Sequence, residues 1–599
     1  MPTDIVSIDA PELSISHAFS GGCGCPVCSG LAVVVDGPDL REAISYQNAD
    51  QRSGVSPNGK ENLTIDQAGM KLIGYEPGWS AALGVGFTVS YGFRATAPAT
   101  MPKDAADFSP FNTAQVRQTE LALTSWADVA NIRFVRAAPG DYTNDATMLF
   151  ANYSSGIKGA SAFAYYPGDT RFFASSGDVW VNITSGSNAN PLTGNFAGQV
   201  LVHEIGHAIG LAHPSDYDVT ATSEPITYAG NASYFADSRQ YTVMSYFGEW
   251  NTGGEYGQVN SQGRYIPSYA AAPQLDDIAA AQFEYGVNFQ TRAGDTVYGF
   301  NSNAERPWFE AISASSRLIF AVWDAGGTDT FDFSGFSQKQ VIDLREGFFS
   351  DVGGLVGNVA VAKGAVIENV KSGSGADVIT GNDAANAISG GAGGDTIIAG
   401  AGFDTVHGGP GDDLIGGGAG ASFLRGEEGD DVLIGGSSFD DLHGNMGNDT
   451  LMAGDDADWV VGGQGNDVLH GGGGNDILYG NLGDDYGEGG EGADLLRGGQ
   501  GNDIMRGDGG DDLLFGDRGD DILFGGAGAD TFTSFAAAGL DIVADFNQAE
   551  GDRVRLEAGT AYTTYQDAAG TIVDMGGGNL VILQNIQLAS LQAGWLFVG

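Results

Sequence analysis

The stretch GGQGNDVLHGGGGNDILY, residues 462–479, is a nine-residue phrase written twice, and it keeps its phase far beyond that pair. From Ser372 to Thr533 the chain divides every nine residues without an insertion, 162 residues in eighteen units. The sixth position is Asp in sixteen units, the exceptions being Asn386 and Ser422; the eighth is apolar in seventeen, the exception being Gly487. Glycines in the first six positions allow the chain to turn. The last three form a short strand whose eighth side chain points inward. Two units make one coil, so the segment predicts nine coils of parallel strands, about 40 Å of stack at ~4.8 Å per coil.

The composition fits such an insert. Of 599 residues 96 are Gly, well above the usual share of about 7%, while Pro is only 18. The net charge is −50, which excludes a nucleic-acid backbone or an anionic membrane surface as the main partner. Residues 372–533 hold 27 Asp and 4 Glu against 4 Arg and no Lys. So much charge around so thin a core requires cations, and the carboxylate and carbonyl oxygens on offer suit Ca²⁺. The expected ligands are the sixth-position residues Asp377, Asp395, Asp404, Asp413, Asp431, Asp440, Asp449, Asp458, Asp467, Asp476, Asp485, Asp494, Asp503, Asp512, Asp521 and Asp530, with weaker ligation at Asn386 and Ser422. The unit resembles the RTX nonapeptide, which implies a calcium-binding parallel β-roll.

Upstream, residues 59–290 read as mixed α and β. GVGFTVSYGF (84–93), ATMLF (146–150) and DVWVNI (178–183) are strand-like. Asn112 to Ala130 reads as an amphipathic helix with Val116, Leu123, Trp126 and Ala130 on one face. The segment LVHEIGHAIGLAHP (201–214) carries the chemistry. His203 and His207 are four apart, so one helix face offers both rings to one metal ion. Glu204 between them can hold a water. Gly210 lets the helix end in a left-handed turn that swings His213 toward the same ion, and Pro214 keeps the helix from resuming. This is the metzincin zinc signature. VMSYF (243–247) adds Met244 as the expected Met-turn methionine beneath the site.

With SWADVANIRF (125–134), AFAYYPG (162–168), LDDIAAAQFEYG (275–286), VWDAGGTDTFDFSGF (322–336) and IDLREGFFSDVGG (342–354), the chain resembles a serralysin-type RTX zinc metalloprotease over residues 60–599. The resemblance implies an α+β zincin catalytic domain followed by an all-β roll. It also implies that Tyr246 is an additional zinc ligand that leaves the metal to stabilise the oxyanion, while Glu204 is the general base. It implies a calcium site at Arg292, Gly294, Thr296, Asp324, Gly326, Asp329 and Glu368. Substrate is expected as an added antiparallel strand along Gly159–Ala164.

The expected organisation is a leader or propeptide at 1–58, a catalytic domain at 59–290, a β-rich connection at 291–371, the roll at 372–533, and a C-terminal cap with a secretion signal at 534–599. One Zn²⁺ and several Ca²⁺ ions are expected. So are protein substrates, a type I secretion apparatus and, as relatives have, a small protein inhibitor, around a monomer. The first twenty residues hold no Lys or Arg and no continuous apolar run, so they are not a Sec-type signal, and no apolar stretch long enough to span a membrane occurs. The expectation is export to the medium or cell surface without an N-terminal signal peptide. Cysteine is confined to Cys23, Cys25 and Cys28, which excludes a disulfide framework. These three could form a latency switch on the zinc, a separate metal or redox site, or part of a leader with no metal role.

Overall fold

The structure is a computed structural model describing residues 45–73, 78–80, 82–102, 105–155, 161–168, 176–217, 226–260 and 262–599. Cys23, Cys25, Cys28 and most of the expected leader lie outside them. Two compact units divide the chain: residues 1–329 with 345–367, and residues 330–344 with 368–599.

In the first unit, helix α1 (Ile65–Leu72) starts at Thr64, whose hydroxyl accepts from the Gln67 amide at 3.2 Å. The strands are β1 (Phe87–Phe93), β2 (Ile132–Arg136), β3 (Met148–Tyr153), β4 (Ala162–Ala164) and β5 (Val179–Asn182). They form one sheet in the order β2-β1-β3-β5-β4. Neighbours are parallel except β4, which runs antiparallel to β5 at an edge, with Phe163 opposite Trp180. The strand expectations therefore land on β1, β3 and β5.

Helix α2 (Thr113–Val129) is N-capped by Asn112, with Gln115 closing a capping box. Leu123, Trp126 and Ala130 are buried as expected, whereas Val116 is only half-buried because Gln115, Gln118 and Thr119 take the inner face at that end. The Trp126 indole N–H reaches across to the Val202 carbonyl at 3.0 Å, tying α2 to helix α3 (Phe196–Ala208). Helix α4 (Leu275–Tyr285) lies so close to α1 that a Cβ on Gly69 would sit 2.8 Å from Ala279 Cβ. Arg52, within the segment expected as leader, is buried with its guanidinium on Asp276 of α4 at 2.7 and 2.9 Å.

The second unit is a parallel solenoid. Strand partners are 18 residues apart, as in Ile397 with Ile415 and Leu442 with Val460, so two nonapeptides make one coil. Successive coils pair through parallel ladders until the last strands. The eighth-position side chains from Ile379 to Phe532 form the core, none more than 2% exposed. Gly487 breaks the column because Met505 fills its space; a Cβ there would meet the thioether sulfur at 2.6 Å. Turn glycines are required by contact as well as by backbone angle. Gly465 has φ 133°, and a Cβ on it would fall 1.8 Å from the carbonyl oxygen of Gly447 one coil away.

Candidate metal centre and the calcium ladder

Helix α3 is built to be buried. Asn195 caps it by accepting from the Gly198 amide at 2.8 Å, and from Ala197 to Ala208 every residue is buried. A helix turn brings His203 and His207 together with ring centroids 4.7 Å apart. At the end the Leu211 amide reaches back to the Gly206 carbonyl at 2.9 Å, and Gly210 takes φ 113°. That reversal returns His213, whose ring lies 4.5 Å from His207 and 5.5 Å from His203.

The nitrogens tell which atoms face the centre. His203 Nδ1 lies 2.7 Å from the Val243 carbonyl oxygen, and His207 Nδ1 lies 2.7 Å from that of Leu211. A carbonyl only accepts, so each Nδ1 carries the proton and each Nε2 presents a lone pair. His207 Nε2 and His213 Nε2 approach to 3.0 Å, and one donor atom from each of the three histidines lies within 4.8 Å of the others. Converging lone pairs repel unless a cation sits among them, and three imidazoles suit Zn²⁺. The residues present fit that ion.

The surroundings fix this geometry. Met244 packs beneath the helix, where a Cβ on Gly206 would come 2.5 Å from its sulfur. Asp277, at the start of α4, accepts from the Gln274 amide (2.9 Å), the Val243 amide (2.8 Å) and the Thr242 hydroxyl (2.5 Å). It therefore positions the carbonyl that orients His203, and burial pushes its carboxyl up to about 7. Sequence reading noted 275–286 only as part of a resemblance; the role of Asp277 depends on a contact 34 residues away. Glu204 is buried beside the histidines. Tyr246 is 2% exposed, and its hydroxyl lies 3.3 Å from His213 Nδ1.

In the solenoid each sixth-position aspartate from Asp395 to Asp530 accepts on Oδ1 the backbone amide of the residue 18 positions earlier, for example Asp413 N to Asp431 Oδ1 and Asp467 N to Asp485 Oδ1, both at 2.8 Å. In the fifteen such aspartates from Asp395 to Asp530 the other oxygen, Oδ2, is buried and receives no hydrogen bond. A row of buried carboxylate oxygens left to themselves is costly, and a hard cation satisfies them. Asp377 differs, since its Oδ2 accepts from the Ser372 hydroxyl. Burial, reinforced by neighbouring carboxylates, pushes Asp413, Asp503 and Asp512 up to about 7.

Two members of this ladder escaped sequence reading. Asp552 Oδ1 accepts the Asp530 amide at 3.1 Å, and Asp541 is buried with an Oδ1 that receives no hydrogen bond. Their offsets are 22 and 20 residues, so the nine-residue phase is lost, yet both keep the Asp-x-apolar triplet in Asp541-Ile542-Val543 and Asp552-Arg553-Val554.

Of the other expected calcium residues, Thr296 donates its amide to Asp329 Oδ1 (2.7 Å) and its hydroxyl to the Gly294 carbonyl (2.8 Å). Gly326 donates its amide to Asp324 Oδ1 at 2.9 Å. Arg292 has φ 48°, and its guanidinium is engaged by Asp128 at 3.2 Å and the Trp323 carbonyl at 2.5 Å. Glu368 belongs to the second unit. The strand histidines each face a carboxylate: His407 with Glu427 (2.8 Å), His443 with Asp441 (2.9 Å) and His470 with Glu488 (3.0 Å).

A three-histidine centre on an HExxH helix, with a calcium-type β-solenoid on the same chain, defines a zinc metalloendopeptidase of the RTX class. Known proteins agree. Residues 103–226 match the family described as Matrixin, 287–421 match Peptidase M10 serralysin C terminal, and five stretches between 425 and 534 match the RTX calcium-binding nonapeptide repeat. "Metalloprotease AprA" of Pseudomonas entomophila (strain L48) is 47% identical over 346 residues, covering 57% of this chain and 69% of that protein. "Serralysin" of Photorhabdus luminescens is 46% identical over 302 residues, 50% of this chain and 59% of its own length. "Serralysin B" of Dickeya chrysanthemi is 43% identical over 334 residues, 54% of this chain and 66% of that protein. The chain belongs to the serralysin family of M10 metalloproteases.

Proposed function

We propose that the protein is an exported, calcium-dependent endopeptidase of broad specificity, with His203, His207 and His213 holding a catalytic zinc ion. The convergence of the three imidazoles beside Glu204 carries this reading. A zinc ion bound there supplies a Lewis acid for the scissile carbonyl and lowers the pKa of a water toward about 7. Glu204 accepts a proton on its carboxylate and delivers it to the leaving amine. The Tyr246 hydroxyl donates a hydrogen bond to the carbonyl oxygen as negative charge builds on it. The polypeptide substrate adds as an antiparallel strand to the edge strand β4, where main-chain pairing tolerates many side chains. Residues 159–160 of the expected pairing segment lie outside the described residues.

The repeats bind calcium through Asp395 and its successors. In the calcium-poor cytosol the roll stays unfolded, which suits passage through a type I secretion apparatus; calcium outside the cell then folds it. We further propose that the catalytic unit spans the expected 59–290 and includes the packed residues from Gln47 onward, with 291–371 as connection, 372–533 as roll and 534–599 as cap and export signal. The test pairs a casein assay with metal analysis. Wild-type protein cleaves casein and is inhibited by a zinc chelator, and Glu204→Gln retains zinc while losing about 10²–10⁴ in kcat. Full activity in Glu204→Gln removes the assigned base.

A further inference from the structure

One buried carboxylate ties together the two chain segments that deliver His213 and Tyr246. Asp237 is fully buried. Its Oδ2 accepts from the Ser215 hydroxyl at 2.7 Å, two residues after His213. Its Oδ1 accepts from the Ser245 hydroxyl at 2.7 Å, next to Tyr246, and from the Tyr217 phenol. Ser215 is itself braced, since its hydroxyl oxygen accepts the Ser233 amide at 2.9 Å.

The phenol held by Asp237 belongs to a ring that touches both members of the centre. Tyr217 lies against Tyr246 with centroids 3.9 Å apart and planes at 31°, and it meets the His213 ring at 5.8 Å. Tyr246 in turn meets His213 edge-on at 4.5 Å. A ring packed this closely blocks displacement of the Tyr246 ring toward it while leaving motion away from that contact. Phe247 packs edge-on against Tyr217 at 5.3 Å, so the Tyr217 ring is confined by more than its hydroxyl.

We propose that Asp237 and Tyr217 are positioning residues for the hydrolysis: Asp237 anchors the Tyr217 phenol, and the Tyr217 ring sets the path along which the Tyr246 hydroxyl moves between the metal and the substrate oxyanion. The proposal rests on the roles given above to Tyr246 and the three histidines. Neither residue contacts substrate; both act through Tyr246. In sequence they are the Tyr of HPSDY (213–217) and the Asp of FADSRQYTVMSY (235–246), far apart until the fold joins them.

The experiment uses the full chain with calcium. Tyr217→Phe keeps the ring and removes the hydrogen bond; Asp237→Asn keeps the volume and removes the charge; Tyr246→Phe is the reference. If the proposal holds, Tyr217→Phe lowers kcat about 10- to 100-fold with KM and bound zinc unchanged. In the Tyr246→Phe background it then has no further effect, because the group it positions is gone. A second reading uses the metal-depleted protein reloaded with Cu²⁺, followed by its phenolate-to-copper absorption band. The band should be present in wild type, absent in Tyr246→Phe, and shifted or weakened in Tyr217→Phe and Asp237→Asn. A band that survives Tyr246→Phe defeats the role given to Tyr246. A band lost in Tyr246→Phe but unaltered in Tyr217→Phe, with kcat unaltered too, leaves that role standing and overturns this proposal. Equal losses from Tyr217→Phe in wild-type and Tyr246→Phe backgrounds overturn it as well.

Discussion

The Val243 carbonyl oxygen lies 2.7 Å from His203 Nδ1, while the Val243 amide donates to Asp277 at 2.8 Å. One peptide segment thus passes the placement of a helix-start carboxylate on to the His203 imidazole. Partners of this kind fix the tautomer and orientation of a metal-binding histidine.

Substituting Asp277→Ala removes the acceptor for two backbone amides and the Thr242 hydroxyl. Zinc affinity should fall about 10- to 100-fold, read by competition with a chelator of known strength. Unchanged affinity would show that the Met-turn holds its shape without Asp277.

Gly206→Ala places a methyl 2.5 Å from the Met244 sulfur and 3.1 Å from the Trp126 ring, in a helix with no exposed side. Overpacking of this kind costs about 1–3 kcal/mol. Thermal unfolding of the calcium-loaded protein should shift down accordingly, and Gly206→Ala with Met244→Ala should recover part of the loss.

The calcium-free roll should respond to acid. Burial and neighbouring carboxylates raise Asp413, Asp503 and Asp512 from 3.8 to about 7, and Asp431, Asp449 and Asp467 to about 6. A raised folded-state pKa means that the stability is full below the unfolded value of 3.8 and is lost as pH rises through about 6 to 7. In a calcium chelator the roll should therefore gain β-structure as pH is lowered from about 7.5 toward 5, followed by circular dichroism. With calcium present, protons compete for the same oxygens, so the calcium midpoint should rise on acidification. A calcium-free spectrum indifferent to pH across that window would contradict the assignment.

Asp541 and Asp552 carry the ladder past the last nonapeptide. Asp541→Ala and Asp552→Ala should each raise the calcium concentration needed to fold the C-terminal coils, whereas removal of the exposed Asp567 should not. Calcium titrations monitored by circular dichroism distinguish them.

The repeats were readable because nearly all their contacts are periodic. Within the repeats successive strand partners lie 18 residues apart, so spacing alone specifies which residue is core, which is turn and which aspartates face one another. The nine-residue pattern ends at Thr533 because the offset to Asp541 and Asp552 changes there while the Asp-x-apolar triplet continues. Helix α3 was readable for a similar reason, since His203, Glu204 and His207 are related by a single helical turn. The half-buried Val116 shows the limit of periodicity, which marks a face but not which residue types the packing partner admits.

By itself the sequence determined the repeat coil and the spacing that sets His203, Glu204 and His207 on one helical turn, because each is a local pattern whose geometry follows from helix or strand period. Only the tertiary structure decided which nitrogen of His203 faces the centre and how Tyr246 is held. Those depend on Val243, Asp277 and Asp237, which reach the site by chain folding from distant positions. Hydrogen-bond partners at such separations leave no spacing for a sequence to display.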